Sequence, residues 1–289
     1  MPNSPVLPTV RRRRLGATLK RLRKAAGLSL DEAAVAMGWT SPKMSKIENA
    51  AQSVRPGDVT AMLKMYGVDD REVYSALENL ARDAGKKGWW QTYRGVVAPT
   101  YADYISLESD ASTIRVYAPL LIPGLLQTAA YARETISGIT TTRSPEEVAA
   151  LVEIRQARQS VLTRTDGSPK FWAIVHEAVL HQRFAARPTT MREQLRRLLD
   201  AAEMPNVTLQ VMPLAATPHP GGAGGFSLVS FPGPMPDVAL LENLLGATYV
   251  EGVDEVQVFG EAFERIVAAA LPMDDSLALI AHLEEGLRT

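Results

Sequence analysis

LSLDEAAVAMGWTSPKMSKIEN, residues 28–49, contains the signals of two short helices separated by a tight turn. Ser29 and Glu32 form an S-x-x-E capping box, which begins a helix by satisfying backbone N–H groups that have no intrahelical partner. Gly38 tolerates the left-handed conformation that ends helices, so it marks the turn. Pro42 is acceptable in the first turn of the next helix, where its missing N–H is not needed. The segment therefore predicts a helix-turn-helix unit.

The second predicted helix has a polar and cationic outer face, because only Met44 and Ile47 continue the apolar stripe. Such a helix fits the major groove of double-stranded DNA, where hydrogen-bonding tips read base edges and phosphate oxygens. We expect the DNA-binding residues of this helix to be Thr40, Ser41, Pro42, Lys43, Ser45 and Lys46.

Composition limits the possible classes of protein. The chain has 289 residues, of which 46% are hydrophobic and 22% charged, so two globular domains are expected. It has no cysteine, which excludes disulfides, thiolate metal sites and a cysteine nucleophile. No apolar run is long enough for a membrane span, and residues 1–10 resemble a flexible arm rather than a signal peptide. We expect a cytoplasmic protein without metal or cofactor.

Charge is divided unevenly along the chain. Residues 1–87 carry 16 basic and 9 acidic side chains, and the remainder carries 15 basic and 23 acidic ones. A basic N-terminal part followed by an acidic C-terminal part is typical of a polyanion-binding domain joined to a domain that does not bind DNA. The alternative is a chance fluctuation of charge along the chain. The basic run Arg11, Arg12, Arg13 and Arg14 has open interpretations. It either lies on DNA phosphates or in a minor groove, or it is a disordered tail or an exposed helix turn.

Residues 11–84 are expected to form an all-α bundle. Short apolar stripes at helical spacing predict five helices, and each stripe is stable only when it packs on the others. The five stripes begin near Leu15, Leu30, Met44, Val59 and Val73.

The same region resembles the phage-repressor (Cro/XRE-type) helix-turn-helix family. The resemblance rests on Arg-Leu-Arg-x-x-x-Gly-Leu-Ser at 21–29, on Ala33, Ala34 and Gly38, and on Ser-Lys-Ile-Glu-Asn at 45–49. It implies a lambda-repressor-like fold in a transcription regulator, typically a repressor, that binds double-stranded DNA as a homodimer.

The resemblance also assigns roles to individual residues. Arg23 and Glu48 take the positions of a structural ion pair that joins the first helix to the end of the recognition helix. The family usually has a DNA-contacting glutamine where this chain has Leu30, so that contact is absent. Backbone N–H groups, Lys43 and the basic run at 11–14 are then expected to supply more of the phosphate contacts.

Residues 84–88, Ala-Gly-Lys-Lys-Gly, resemble a linker, and residues 85–289 are expected to form a larger α+β domain for sensing and dimerisation. Apolar periodicity predicts helices at 145–162, 190–203, 254–270 and 274–287, and strands at 171–175, 207–212, 226–231 and 238–242.

Several sequence motifs in this part of the chain resemble those of a domain of unassigned function in actinomycete (Streptomyces WhiJ-like) regulators. They are Leu-Glu-x-x-Ala at 107–111, Pro-Gly-Leu-Leu-Gln-Thr at 123–128 and His-Glu-Ala-x-Leu at 176–180, and the likeness continues to residue 271. Such regulators are commonly encoded beside a small partner protein, and some are antitoxin-like. The resemblance implies that this domain senses a small partner protein or a small-molecule effector, and it supplies no catalytic residues.

Two motifs that suggest catalysis fail on spacing. His176 and His181 are five residues apart, whereas a zinc-protease helix needs histidines four apart on one face. Residues 221–225, Gly-Gly-Ala-Gly-Gly, lack the Gly-Lys-Ser/Thr ending of a phosphate loop, so a flexible loop is the simpler interpretation. A small-molecule hydrolase therefore remains only a lesser alternative to a regulator or an antitoxin-like interaction protein.

Large side chains near the linker are candidates for a ligand or partner pocket, since such sites are mostly apolar with few polar groups. The alternative is that these rings form ordinary core at a domain junction. The candidates are Trp89, Trp90, Tyr93, Tyr101, Tyr104 and Gln127.

Overall fold

The computed structural model describes residues 8–83, 89–93, 95–139, 142–165, 167–233, 235–244 and 246–287. The chain divides into two compact units. The first unit comprises Met1–Trp89 and Phe231–Pro236, and the second comprises Trp90–Ser230 and Asp237–Thr289. The predicted linker at 84–88 lies outside the described residues.

The first unit is helical, as the sequence predicts. Both hydrogen bonds of the capping box between Ser29 and Glu32 are present, and Gly38 ends the second helix with a φ of 65°. The helices are α1 (Val10–Ala25), α2 (Leu30–Ala36), α3 (Ser41–Glu48), α4 (Pro56–Met65) and α5 (Arg71–Asp83). The predicted helix-turn-helix is thus formed by α2 and α3.

The core of the first unit is built from one apolar stripe of each helix, as short amphipathic helices require. Its fully buried side chains include Leu19, Ala33, Met44, Met62 and Leu77.

Helices α1 and α3 approach each other closely at Gly16. A Cβ atom at Gly16 would lie only 2.5 Å from the carbonyl oxygen of Glu48 and 2.7 Å from that of Ile47. Glycine therefore permits a backbone contact between the two helices that no other residue could make without displacing α3.

The second unit is α+β, as the sequence predicts, with more elements than the periodicity indicated. Its helices are α6 (Pro99–Asp110), α7 (Ala129–Ile139), α8 (Pro145–Arg158), α9 (Glu177–Leu180), α10 (Thr190–Ala202), α11 (Val253–Ala269) and α12 (Met273–Glu285). Its strands are β1 (Thr113–Ala118), β2 (Lys170–His176), β3 (Val207–Met212), β4 (Phe226–Ser230), β5 (Val238–Asn243) and β6 (Gly246–Val250). The sequence predicts β2 to β5 but assigns no element to β1, β6, α6, α7 or α9.

The six strands form one mixed sheet in the order β3-β2-β1-β4-β5-β6. Strands β1, β2 and β3 are parallel, and β4, β5 and β6 continue the sheet in antiparallel fashion. The parallel crossovers contain helices, as such connections usually do. The carboxyl ends of β1, β2 and β3 consequently lie along one edge of the sheet.

Helices cover the sheet and close one of its side edges. Phe263 and Ile266 of α11 pack against Tyr117, Ile174 and other buried side chains of the strands. Within the described ranges, no single helix has the length and apolar composition to cross a membrane, and only α11 with α12, bent by 67°, meets that criterion as a pair.

The outer edge of β3 is occupied by the segment that joins α11 to α12. The Leu271 N–H donates to the Val211 carbonyl oxygen at 2.8 Å, and the Val211 N–H donates to Ser276 Oγ at 2.9 Å. Gln210 Nε2 also donates to the Leu271 carbonyl oxygen at 2.9 Å. These bonds satisfy polar groups that an edge strand otherwise exposes.

Candidate nucleic-acid interface

A buried ion pair fixes the end of α3 to α1. Arg23 Nε donates to Glu48 Oε1 at 2.7 Å, and Arg23 Nη2 donates to Glu48 Oε2 at 3.0 Å. The two side chains are only 7% and 1% exposed. The hydrogen bond to Glu48 raises the pKa of Arg23, against the opposing effect of burial. The bidentate geometry orients both side chains inward, so neither is available to read bases.

The outer face of α3 carries the side chains for which the sequence predicts DNA contacts. Thr40, Pro42 and Lys46 are exposed. Lys46 also lies in the last turn of α3, where a cation complements the helix dipole in the absence of a ligand. These three residues are the most accessible of the predicted set.

The other predicted contacts already have intramolecular partners. Ser41 Oγ donates to the Asp31 carboxylate, and Lys43 Nζ lies 3.7 Å from the centre of the Trp39 ring. A cation over an aromatic face is attracted by the ring quadrupole, so Lys43 must give up this contact or extend beyond it to reach a phosphate. Asp31 adds an exposed negative charge beside the same face.

Sequence reasoning missed the exposed polar residues at the carboxyl end of α3. Asn49 is exposed and its Nδ2 donates to Ser45 Oγ at 3.2 Å, so its amide oxygen can still serve as an acceptor. Ala50 has a φ of 60° and turns the chain, and Gln52 and Arg55 are exposed beyond it. The dense polar composition of residues 49–55 was the available signal.

The basic run at 11–14 belongs to α1 rather than to an extended arm. The helix begins at Val10, and Thr9 caps it by accepting a hydrogen bond from the Arg12 N–H at 3.3 Å. Arg11, Arg12 and Arg13 are half-buried. The part of the predicted arm at residues 1–7 lies outside the described ranges.

The prediction that Arg14 contacts DNA is wrong. Its side chain is only 1% exposed, its guanidinium lies over the Phe231 ring, and its Nη2 is 3.5 Å from Met235 Sδ. One turn of helix places Arg14 on the inward face, where a phosphate has no access to it.

One of the aromatic residues predicted to line a pocket, Tyr104, is packed in the core instead. Tyr104 is only 8% exposed, and the Arg158 guanidinium lies between the Tyr101 and Tyr104 rings, 5.0 and 4.9 Å from their centres. Arg158 is itself paired with Glu108 at 2.6 Å, in a second buried ion pair. Burial, and then the charge of Glu108, raise the pKa of Tyr104 well above its ordinary value. Tyr104 is therefore core, which corrects the pocket prediction for this residue.

Gln127 is also a structural residue. It is 2% exposed, its Nε2 donates to the Ile122 carbonyl oxygen at 2.6 Å, and its Oε1 accepts from Arg155 Nη1 at 2.8 Å. These bonds hold the turn before α7, so the side chain cannot also serve a ligand without breaking them.

Two further candidates, Trp89 and Tyr93, keep part of their surface exposed. Trp89 belongs to the first unit and is 43% exposed, and the side chain of Trp90 lies outside the described part of the chain. Tyr93 packs beside the cluster of Ile105 and Leu151, and its hydroxyl donates to Glu153 Oε2 at 3.3 Å.

A groove of about 540 Å³ lies elsewhere, between α10 and α12. Its charges are largely paired within the protein: Arg192 with Glu284 at 3.1 Å and Arg196 with Asp200 at 3.2 Å. A groove lined by paired charges indicates no particular class of ligand.

The histidine motif has a different geometry from a zinc-protease helix. His176 precedes the short helix α9 as its N-cap, Glu177 Oε2 accepts from the Leu214 N–H at 2.8 Å, and His181 Nε2 lies 3.5 Å from Glu177 Oε1. Over the described ranges, no group of three or more His, Asp or Glu residues is arranged to hold a metal ion.

Comparison with known proteins identifies both units. Residues 14–76 match the family model of a helix-turn-helix domain, and residues 101–282 match the family model described as a domain of unknown function (DUF5753). No curated protein matches the chain. No solved structure matches it either.

Proposed function

We propose that this chain, which belongs to the family of the domain of unknown function DUF5753, is a sequence-specific transcription regulator that binds double-stranded DNA as a homodimer. The helix-turn-helix domain at 14–76 supports DNA binding. One observation carries the proposal: the buried pair between Arg23 and Glu48 anchors α3 while Lys46 remains exposed on its outer face. A rigidly held helix with accessible polar tips is what major-groove recognition requires.

Affinity would come from cations around α3, and specificity from its uncharged polar side chains. Lys46 and Arg55 are exposed and available for phosphates, and Lys43 joins them once it leaves the Trp39 ring; phosphate contacts set orientation and make binding salt-dependent. Thr40 and Asn49 present hydroxyl and amide groups suited to base edges.

A dimer is proposed because a single short recognition helix spans only a few base pairs. Twofold proteins of this class read two half-sites about one helical turn of DNA apart, roughly 34 Å. We expect the second unit to provide the dimer contacts and to receive a small ligand or a small partner protein. Its six-stranded sheet with surrounding helices far exceeds what DNA contact alone requires.

The test compares Lys46→Ala with Lys64→Ala. Both lysines are exposed, but Lys64 lies in the last turn of α4 and not on the outer face of α3. DNA selected from a random pool by the full-length protein would be labelled and titrated at several salt concentrations.

We expect Lys46→Ala to weaken binding and to reduce the slope of log affinity against log salt by about one, the loss of one phosphate contact. Lys64→Ala should retain the affinity of the unsubstituted protein. Equal affinities for the two variants, or selection of no shared DNA sequence, would count against a sequence-specific regulator that reads DNA with α3.

A further inference from the structure

The carboxyl ends of the three parallel strands bring together side chains from distant parts of the chain. Ala118 of β1 is paired with Val175 of β2, and His176 of β2 is paired with Met212 of β3. Strand β4 begins at the same edge, since Phe226 is paired with Tyr117. In sheets of this kind, loops after the parallel strands are common places for ligands.

Tyr117 and His176 lie on the same face of the sheet. Tyr117 is directly opposite Ile174, and His176 follows Ile174 by two residues, which returns it to that face. Ile174 and Met212 pack with Phe263 of α11 on this face. Tyr117 and His176 therefore mark the end of a covered, apolar surface.

His219 reaches the same place from the loop between β3 and β4. Its ring meets Tyr117 edge-on, with ring centres 5.7 Å apart and planes at 87°. A Cβ atom at Gly221 would lie 2.7 Å from both Tyr117 Cζ and His219 Cε1, so glycine allows the two rings to converge. Burial, and then the neighbouring His176, lower the pKa of His219.

Both histidines offer a hydrogen-bond donor. His176 Nδ1 accepts from the Ala178 N–H, and His219 Nδ1 accepts from the Gly221 N–H, each at 3.1 Å. A neutral imidazole that accepts at Nδ1 carries its proton on Nε2. The two Nε2 atoms are then donors rather than metal ligands, since a metal needs a free lone pair.

Tyr117 adds a third donor. Tyr117 is only 3% exposed. Within the described ranges, no residue forms a hydrogen bond with its hydroxyl. The hydroxyl keeps some accessible surface, from which it can donate to a ligand oxygen.

Two exposed leucines flank the histidine segment. Leu120 and Leu214 follow β1 and β3 by two residues and are 76% and 62% exposed. Gln182 Nε2 donates to the Leu120 carbonyl oxygen at 3.0 Å, and the Leu214 N–H donates to Glu177 Oε2 at 2.8 Å. These hydrogen bonds connect Leu120 and Leu214 to the segment that follows His176. The Glu177 carboxylate already accepts a hydrogen bond from the Leu214 N–H.

We propose that this edge of the sheet binds a small acid with an apolar body. Its oxyanion accepts hydrogen bonds from Nε2 of His176 and of His219 and from the Tyr117 hydroxyl, and its apolar part lies against Leu120 and Leu214. The proposal rests on the proposed ligand-sensing role of the second unit and names the class of ligand.

The test follows the four histidines of the full-length protein by NMR of ¹⁵N-labelled imidazoles. The probes are octanoate and octyl phosphate, which share an oxyanion but differ in its source, and 1-octanol, which has the same chain without charge. We expect at least one acid to shift His176 and His219 and to leave the exposed His282 of α12 unchanged. Either acid supports the proposal and identifies the head group. No response to either, or an equal response to 1-octanol, would overturn it.

Asparagine variants separate recognition from folding. His176→Asn and His219→Asn retain a side-chain acceptor for the turn N–H, because asparagine also caps, but remove the Nε2 donor. We expect each to weaken acid binding about tenfold or more, and Tyr117→Phe to do the same with its ring in place. His282→Asn is the matched control. Unchanged acid affinity in variants whose circular dichroism matches that of the unsubstituted protein would refute the assignment of the donors.

DNA affinity measured on the same samples distinguishes the two proposals. Acid binding at His176 and His219 without specific DNA binding would refute the regulator and leave the site standing. Specific DNA binding with no histidine response would refute this site alone.

Discussion

The guanidinium of Arg23 on α1 donates to both carboxylate oxygens of Glu48, the last residue of α3. The same guanidinium donates from Nη1 to the carbonyl oxygen of Leu28 at 2.7 Å, so one side chain connects the first helix, the approach to α2 and the end of α3. The position of the recognition helix is therefore fixed by a residue that has no access to DNA.

Arg23→Met should destabilise the protein strongly. It leaves the Glu48 carboxylate buried without its partner, and loss of one member of such a pair costs about 3–5 kcal/mol. Urea unfolding followed by circular dichroism measures the change. Arg196→Met breaks the exposed pair with Asp200 and should change the unfolding free energy by no more than about 1 kcal/mol. Similar effects of the two substitutions would contradict a structural role for the buried pair.

Gly16→Ala should destabilise the first unit through overpacking. The added methyl group meets the backbone carbonyls of Ile47 and Glu48, which cannot move without shifting α3, and overpacking typically costs about 1–3 kcal/mol. Gly57→Ala is the control, because space around Gly57 is open and alanine favours a helix. Thermal unfolding of both variants gives the comparison, and a Gly16→Ala protein as stable as Gly57→Ala would show that α3 adjusts freely.

Asp31→Asn should strengthen DNA binding without sharpening its specificity. The substitution removes an exposed negative charge beside the outer face of α3. It also weakens the hydrogen bond that the Ser41 hydroxyl donates to residue 31. We expect a gain of a few-fold at low salt that fades as salt screens the phosphates. Asp58→Asn, in the first turn of α4, serves as the control for helix-dipole effects. Weaker binding by Asp31→Asn would indicate that the aspartate positions Ser41 for base contact.

His219 should titrate below its ordinary pKa of 6.5 in the folded protein. The unfolded chain then takes up a proton first as pH falls through 6.5, so His219 contributes stability that is lost on acidification. His176→Asn removes the electrostatic effect of His176, the second cause of the shift. The pKa of His219 should then rise but stay below its ordinary value, because the burial of His219 persists. NMR titration of the imidazole measures both values, and an unchanged His219 pKa in His176→Asn would place the two rings further apart than we infer.

The helices of the first unit could be predicted from the sequence because their signals are local. Ser29 with Glu32, Gly38 and Pro42 specify ends and turns within a few residues of the structures they form. The buried pair of Arg23 with Glu48 came from family resemblance, since nothing in the spacing alone brings those residues together.

What the sequence did not reveal depends on tertiary placement. Strand β1, at 113–118, is central to the sheet, yet its six residues gain their partners from β2 and β4, far along the chain. Arg14 and Tyr104 were both expected at functional surfaces and are buried. An arginine or a tyrosine can be buried when its side chain packs against aromatic rings. Composition alone does not show whether such a residue is buried or exposed.

The closed edge of β3 has a consequence for how these molecules behave at high concentration. Open strand edges recruit further strands and lead to aggregation. At Val211 the N–H and carbonyl are already bonded to Ser276 and Leu271, so an incoming chain finds no free pairing groups there. A strand added along β3 would therefore lose its pairing at Val211, which disfavours growth of the sheet into a fibre on that side.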